Sequence, residues 1–174
     1  ESIFLKEAAD RYNYVVEGGV NDAGYQSVAV PGTVAGLALA LQRHGTIAWA
    51  DALQPAIAYA EDGFPVAAEL RASWTKEMSP DQLPMARRIQ VTPAARALYT
   101  NDGRLKELGE PMLQADYGGT LRTLAREGAS AFYEGEIAER IAADFEAHGG
   151  FISRADLAGY RAEVGRPLES TYRG

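Results

Sequence analysis

Apolar residues recur at helical spacing along much of this 174-residue chain. The first clear example is Val34, Leu37 and Leu41, which lie on one side of a helix because they are three and four residues apart. Thr33 is predicted to be the N-cap of this helix, which is predicted to end at His44-Gly45. Alanine and glycine fill many of its other positions, so the sequence predicts a buried helix that a neighbouring element approaches closely.

Two more helices and a hairpin are predicted in the middle of the chain. One helix covers about 49–62, and Pro55 inside it predicts a kink or a junction of two short helices, because proline removes a backbone donor. Another helix covers 67–78, and the stretch 76–88 is predicted to be the least ordered because Ser-Pro and Leu-Pro steps interrupt it. Asn101-Asp102-Gly103 tolerates positive φ, which predicts a small hairpin.

The last third of the chain has the most regular pattern. One helix is predicted to follow Gly118-Gly119-Thr120 and to end at Glu127, and another covers 136–148. Each is followed by glycine, which favours the left-handed conformation that ends many helices. Ser153 and Asp156 resemble a capping box, with aspartate in place of the usual glutamate or glutamine. This pair predicts a short helix that runs to about Tyr160.

These elements predict a mainly α fold, an irregular orthogonal bundle of about five to seven short helices with one small hairpin. Residues 1–174 are predicted to form a single helical domain. Residues 1–23 are interpreted as an entry arm with a short helix over 2–12, and residues 24–174 as the main body. Residues 167–174 are predicted to begin a strand.

Composition and charge exclude several classes of partner and site. The 18.7 kDa chain has a formal net charge of −7 and a pI of about 4.9, so its field repels nucleic acid and anionic membranes. It contains no cysteine, which excludes disulfides, thiolate metal sites and a cysteine nucleophile. The longest apolar stretch, 25–41, is too short and too interrupted by glycine and proline to cross a bilayer, so no membrane span is predicted.

Candidate catalytic and ligating side chains have simpler structural explanations. His44 and His148 each precede a glycine at a helix end, and the interpretation as cations near the last carbonyls is favoured over a catalytic base. The acidic residues of 134–146 surround a helix, so a solvated face is favoured over a metal site. Gly32 and Gly36 are interpreted as permitting tight packing. The residues alone predict no catalytic, substrate-binding or metal-ligating residue and no cofactor.

Several blocks of sequence resemble the large-subunit region of the gamma-glutamyltranspeptidase family. The most distinctive contains Pro31-Gly32-Thr33-Val34-Ala35-Gly36, and the others follow in the family's order and spacing from residue 24 to the C-terminus. These other blocks are 44–46, 53–64, 116–121, 128–138, 149–153, 156–160 and 172–174. Tyr117-Gly118-Gly119 departs from the family pattern without touching a catalytic position.

This resemblance implies an N-terminal-nucleophile hydrolase whose precursor cuts itself. The N-terminal threonine of the small subunit then attacks a gamma-glutamyl amide, typically of glutathione, and passes the acyl group to water, an amino acid or a peptide. The family's substrate-anchoring arginine lies upstream of the matched region and its nucleophile downstream, so this segment is expected to be inactive alone. No metal or organic cofactor is implied.

The resemblance also implies a setting for the segment. It is expected to be the helical part of the large subunit, with the rest of that subunit and the small subunit as partners, in a periplasmic or extracellular enzyme. Taken alone, it is expected to expose apolar surface and to self-associate. Matched motif positions are assigned structural roles only: Pro31, Gly32, Gly36, Gly63, Gly135, Gly149 and Gly150.

Two alternatives remain open at this point. The chain could be a stand-alone helical binding or scaffold module descended from the enzyme. It could instead belong to a relative that acts on glutaryl-cephalosporins or on poly-gamma-glutamate, because nothing in residues 1–174 separates these donors.

Overall fold

The structure is a computed structural model that describes residues 20–78 and 82–173. The helix predicted over 2–12 and most of the entry arm, 1–19, lie outside the described residues. So do residues 79–81, inside the stretch predicted to be least ordered, although a helix covers its last four residues.

The described residues are mostly helical, as predicted. The α-helices are α1 (Thr33–His44), α2 (Trp49–Asp62), α3 (Ala68–Trp74), α4 (Met85–Arg88), α5 (Pro93–Tyr99), α6 (Ala115–Glu127), α7 (Ser130–Tyr133), α8 (Glu136–Ala147) and α9 (Arg154–Gly159). The strands are β1 (Phe64–Pro65), β2 (Thr100–Asn101), β3 (Arg104–Leu105) and β4 (Pro111–Met112). Strands β1 and β4 pair antiparallel, as do β2 and β3.

Within 20–78 and 82–173 the nine α-helices exceed the predicted five to seven, because α4, α5 and α7 are short and were not predicted. Thr92 caps α5 by accepting a hydrogen bond from the Ala95 amide at 3.1 Å, and Pro93 follows as its first residue. Both are recognised helix-start signals. The β1–β4 pair is also additional to the single hairpin predicted.

Helices α2 and α6 form the centre of the fold. Ile57 and Ala60 of α2 are buried against Leu121 and Leu124 of α6. The Trp49 indole nitrogen donates to the Leu124 carbonyl oxygen at 2.8 Å, which fixes the start of α2 on the end of α6. Helix α2 continues through Pro55 as one helix, so of the two alternatives, a kink or a junction of two short helices, the junction is wrong.

Helix α1 is not the buried helix predicted. None of its residues is buried, and Leu37 is 60 % exposed, although Val34 contacts the cluster between α2 and α6. Only one side of α1 therefore packs against described residues. Gly32, not Thr33, is its N-cap, and no side chain of the N-cap residue satisfies the first amides.

Two smaller buried clusters complete the body. The first joins Val66, Trp74 and Met112 beside the β1–β4 pair. The second joins Ala138 of α8 to Ile152 and Leu157. Helix α3 ends at Trp74 rather than extending to 78, and the next residue's hydroxyl donates to a carbonyl of its last turn.

The hairpin and the capping box are confirmed. Asp102 and Gly103 have φ values of 50° and 80°, as a tight turn between β2 and β3 requires. Ser153 Oγ accepts from the Asp156 amide at 3.2 Å, and the Asp156 carboxylate accepts from the Ser153 amide at 2.8 Å. Residues 167–173 contain no strand, contrary to prediction.

Candidate functional site

Three separate sequence blocks meet at the start of α1. The Tyr133 hydroxyl accepts a hydrogen bond from the Ala35 amide at 3.0 Å and donates one to the Pro31 carbonyl oxygen at 2.8 Å. Tyr133 is 5 % exposed, and its ring stacks on Tyr160 with centroids 5.6 Å apart and planes 11° apart. We call Tyr133, Tyr160 and the Pro31-Gly32 turn the tyrosine clasp.

Gly32 is required in the tyrosine clasp by close approach rather than by backbone conformation. Its φ of −96° suits any residue. A Cβ atom placed there would lie 2.0 Å from the Tyr160 hydroxyl oxygen and 2.7 Å from Tyr160 Cζ. The Tyr160 ring therefore occupies the space that a side chain at position 32 would need.

The Tyr133 phenol is held in its neutral form. Burial raises its pKa above the ordinary tyrosine value, and this outweighs the opposite effect of the hydrogen bond from the Ala35 amide. A neutral phenol is the form that can both accept a hydrogen bond and donate one. The two bonds to α1 and its preceding turn are therefore compatible with the ionisation state.

A second junction holds the turn Tyr25–Ser27, which precedes residues 28–32 and α1. The Tyr25 ring stacks on the His148 ring at 4.4 Å and meets the Phe145 ring edge-on at 5.4 Å. Gln26 Nε2 donates to the Gly149 carbonyl oxygen at 3.0 Å. A Cβ atom at Gly150 would lie 2.4 Å from the Phe145 ring, so this position also depends on glycine.

Ion pairs fix other parts of the described chain. The half-buried Asp22 carboxylate pairs with Arg88 and accepts from the Leu83 amide at 2.8 Å. Glu61 of α2 pairs with Arg122 of α6, and this hydrogen-bonded pair lowers the pKa of the Glu61 carboxyl. Each pair joins two different parts of the described chain. The Asp22–Arg88 pair and the Glu61–Arg122 pair do not line the same groove.

The histidines lie where the sequence places them, at helix ends. His148 Nδ1 is 2.8 Å from the Asp144 carbonyl oxygen, which agrees with the helix-end interpretation. His44 is the last residue of α1 and is exposed. Across residues 20–78 and 82–173, no three histidine, aspartate or glutamate side chains come together as metal ligands would. In the same part of the chain no helix is long and apolar enough for a bilayer.

The described surface carries several open grooves. One, of about 560 Å³, lies beside α1 and is lined by Leu39, Ile47, Trp49, Ala129, Tyr160 and Arg161 among others. Its lining is mostly apolar and, among the described residues, contains no histidine, aspartate or glutamate. This groove can accept an apolar surface but offers no general base.

The glycines assigned structural roles differ in their backbone conformation and in the space around them. Gly63 and Gly149 have φ values of 80° and 69°, and Gly135 leaves 3.0 Å between its Cβ position and the Ala131 carbonyl oxygen. Beyond its neighbours in α1, no atom of residues 20–78 and 82–173 lies within 4 Å of a Cβ placed at Gly36, so the expected tight packing at that position is wrong for the described part of the chain. Among those residues, Gly32 makes a close approach and Gly36 does not.

Sequence reasoning missed the tyrosine clasp. The signal available was that Tyr133 and Tyr160 lie inside matched sequence blocks, together with Gly32. Nothing in the local spacing connects them, because Ala35 and Tyr133 are 98 residues apart.

Comparison with known proteins gives a consistent result. A sequence model of gamma-glutamyltranspeptidase matches residues 6–174. The chain is 33 % identical over 159 residues to a glutathione hydrolase proenzyme of Pseudomonas sp. strain A14. It is 36 % identical over 169 residues to an Acylase ACY 1 proenzyme of Pseudomonas sp. strain SE83. The fold is similar to a solved Helicobacter pylori gamma-glutamyltranspeptidase, with a TM-score of 0.81 and 28 % identity.

These matches cover most of this chain but little of the relatives. The alignments with the two proenzymes cover 90 % and 97 % of this chain, and the alignment with the H. pylori structure covers 91 %. The chain spans 26 % and 27 % of the two proenzymes and 44 % of the solved H. pylori chain.

Proposed function

The chain belongs to the gamma-glutamyltranspeptidase family, and from that premise we propose that it is a large-subunit segment of an enzyme that transfers or hydrolyses gamma-glutamyl groups. The observation that carries the proposal is the family match over 6–174 together with the shared fold. We further propose that the enzyme is an N-terminal-nucleophile hydrolase and that its nucleophile lies outside these residues.

The proposed reaction has two steps. A threonine hydroxyl attacks the carbonyl carbon of the gamma-glutamyl amide, and the threonine's own amine takes the hydroxyl proton. The C–N bond breaks, the leaving amine receives a proton, and a gamma-glutamyl ester remains on the enzyme. Water or the amine of an acceptor then attacks the ester and restores the threonine hydroxyl.

In this proposal the segment is a support for the reacting groups. The described residues contain twelve buried hydrophobics and thirteen large hydrophobics that are exposed. Exposed apolar side chains mark an interaction surface where they form a contiguous patch. The exposed set includes Leu37 on α1 and Val164, Leu168 and Tyr172 near the C-terminal end.

We propose that the rest of the same precursor covers these apolar side chains. The relatives are about three and a half times as long as this chain, which provides ample polypeptide for that contact. The groove beside α1 joins the exposed C-terminal segment through Tyr160 and Arg161. One continuous interface, extending from α1 to residue 173, follows from this arrangement.

The donor is proposed to be glutathione or a related amide. The second candidate is an amide with a different acyl group, because the match to the acylase proenzyme is as good as that to the glutathione hydrolase proenzyme. An exported enzyme, periplasmic or extracellular, is part of the same proposal and rests on family membership.

The proposal is tested with the full-length precursor and the 174-residue chain side by side. Release of p-nitroaniline from gamma-glutamyl-p-nitroanilide is expected only from the precursor, and replacing its downstream threonine by alanine should abolish both self-cleavage and turnover. A glutaryl-cephalosporin assay in parallel separates the two donor classes. Turnover by the 174-residue chain that a point substitution within it removes would contradict the support role.

A separate measurement tests the covering interface. Light scattering of the 174-residue chain at increasing concentration is expected to show self-association, and Leu37→Asp should reduce it. Ala40→Asp on the same exposed side of α1 adds the same charge without removing a large apolar side chain and serves as the matched control. A monomer at every concentration would count against the interface.

A further inference from the structure

The start of α1 lacks the side chain that normally caps a helix. Gly32 is the N-cap residue and has no side chain, so nothing local accepts a hydrogen bond from the amide three residues later. That amide belongs to Ala35, and its acceptor is the Tyr133 hydroxyl at 3.0 Å. An N-cap serine or aspartate would bond the same amide.

The same hydroxyl also blocks extension of α1 toward its N-terminus. One more helical hydrogen bond would join the Ala35 amide to the Pro31 carbonyl oxygen, which is four residues earlier. The Tyr133 hydroxyl bonds to both groups, accepting from the amide and donating to the carbonyl at 2.8 Å. The first helical bond is then the one from Gly36 to Gly32, at 3.0 Å.

We propose that Tyr133 is the N-cap of α1, supplied from α7, and that it is a positioning residue for the extended chain entering α1. A local cap is excluded at position 32, because the Tyr160 ring occupies the space of a side chain. The cap therefore forms only when α7 and α9 are packed against the Pro31-Gly32 turn.

The position of the preceding segment depends on this contact. Val30 packs against the buried cluster of Ala138, Ile152 and Leu157, whereas Val28 is 44 % exposed. Because the Pro31 carbonyl is bonded to Tyr133, the backbone between Val30 and α1 has one orientation. Val28 is thereby presented in a fixed direction at the surface of the helical body.

The experiment measures amide hydrogen exchange in the full-length polypeptide that carries this segment. In Tyr133→Phe, exchange of peptides covering 33–37 is expected to rise at least tenfold, whereas peptides covering 57–62 of α2 should change less than twofold. Tyr160→Phe is the matched control, because its hydroxyl makes no hydrogen bond with the residues the structure describes; it should leave both regions unchanged. Exchange in 33–37 that stays within twofold in Tyr133→Phe would overturn the proposal.

A uniform rise in both regions would also overturn the proposal, because it would show general destabilisation. A conservative variant keeps the test decisive if Tyr133→Phe does not fold. A fluorinated tyrosine at position 133 has the same shape and a more acidic phenol. Its 33–37 region should match the wild type while the phenol is neutral, and the Ala35 amide should stay protected as the phenol ionises, because a phenolate still accepts from that amide although it no longer donates to the Pro31 carbonyl. Loss of the Ala35 amide's protection on ionisation would overturn the cap, because the phenolate is the stronger acceptor. None of these measurements requires enzymatic activity.

Discussion

Gly32 and Gly36 are four residues apart in one motif, yet the structure gives them opposite environments. We expect Gly32→Ala to destabilise the chain and Gly36→Ala to stabilise it. A Cβ at position 32 would overlap the Tyr160 hydroxyl at 2.0 Å, whereas one at position 36 would meet no described residue within 4 Å. Replacing glycine by alanine at the two positions therefore compares the stability effect of a methyl group in a crowded site with that of a methyl group in an open one.

The size of each effect follows from the contacts. In Gly32→Ala the Tyr160 ring must move, which costs about 1–3 kcal/mol for overpacking. Displacing it also removes the stack on Tyr133, which is worth about 0.5–1.5 kcal/mol. The expected loss is about 2–4 kcal/mol. In Gly36→Ala the helix gains alanine in place of glycine, which contributes about 0.8–1 kcal/mol.

The stability of both variants is measured by urea unfolding of the 174-residue chain. The fluorescence of Trp49 and Trp74 reports the unfolding. For a slope of about 2 kcal/mol per molar urea, the Gly32→Ala midpoint should fall by about 1–2 M. The Gly36→Ala midpoint should rise by about 0.5 M. Combining Gly32→Ala with Tyr160→Ala removes the overlap, so the double variant should be more stable than the sum of the single changes predicts.

Two results would refute this reasoning. The first is a Gly32→Ala variant as stable as Gly36→Ala, which would mean that the Tyr160 ring does not occupy the space at position 32. The second is strict additivity of Gly32→Ala and Tyr160→Ala. Additivity would locate the cost of the alanine in the N-cap position itself and not in the ring.

Three further predictions concern turns, caps and ion pairs. Ser153→Ala should cost about 1 kcal/mol in thermal or urea unfolding, because it removes an N-cap acceptor. The Ser153 hydrogen bonds lower the pKa of Asp156, so its stabilisation is present above the unfolded pKa of about 3.9 and is lost as the pH falls through the folded value. Asp156→Asn should therefore destabilise at pH 7 and weaken the pH dependence below 4. Gly103→Ala should cost about 1–2 kcal/mol, because φ there is 80°. Arg88→Ala should cost about 2 kcal/mol and Arg126→Ala under about 1, since only the first leaves a half-buried carboxylate unpaired.

Local signals can predict an element where the signal and its structural cause are close in sequence. The hairpin at Asp102-Gly103 and the capping box at Ser153 and Asp156 depend on backbone conformation and on side chains three residues apart. Helix α5 carried an equally local signal in Thr92 and Pro93, so its omission was an avoidable error.

The environment of α1 could not be predicted in the same way. Its apolar spacing identifies a helix, but the same spacing occurs whether the helix is covered on one side or on all sides. The structure covers the side that carries Val34 and leaves Leu37 exposed. The covering interface proposed above would account for the other side of α1, and the short coverage of the relatives is compatible with it.

The two junctions show which structural contacts some of the motif residues make. In each, a glycine leaves room for an aromatic ring, Gly32 for Tyr160 and Gly150 for Phe145. In each, a distant side chain bonds a backbone group of another block, as Tyr133 does at Pro31 and Gln26 does at the carbonyl of 149. Such contacts specify how segments far apart in sequence meet. They involve no acyl group, which agrees with the comparable similarity to proenzymes named for different activities. Under the proposed function, we expect donor selectivity to lie in parts of the precursor outside these residues.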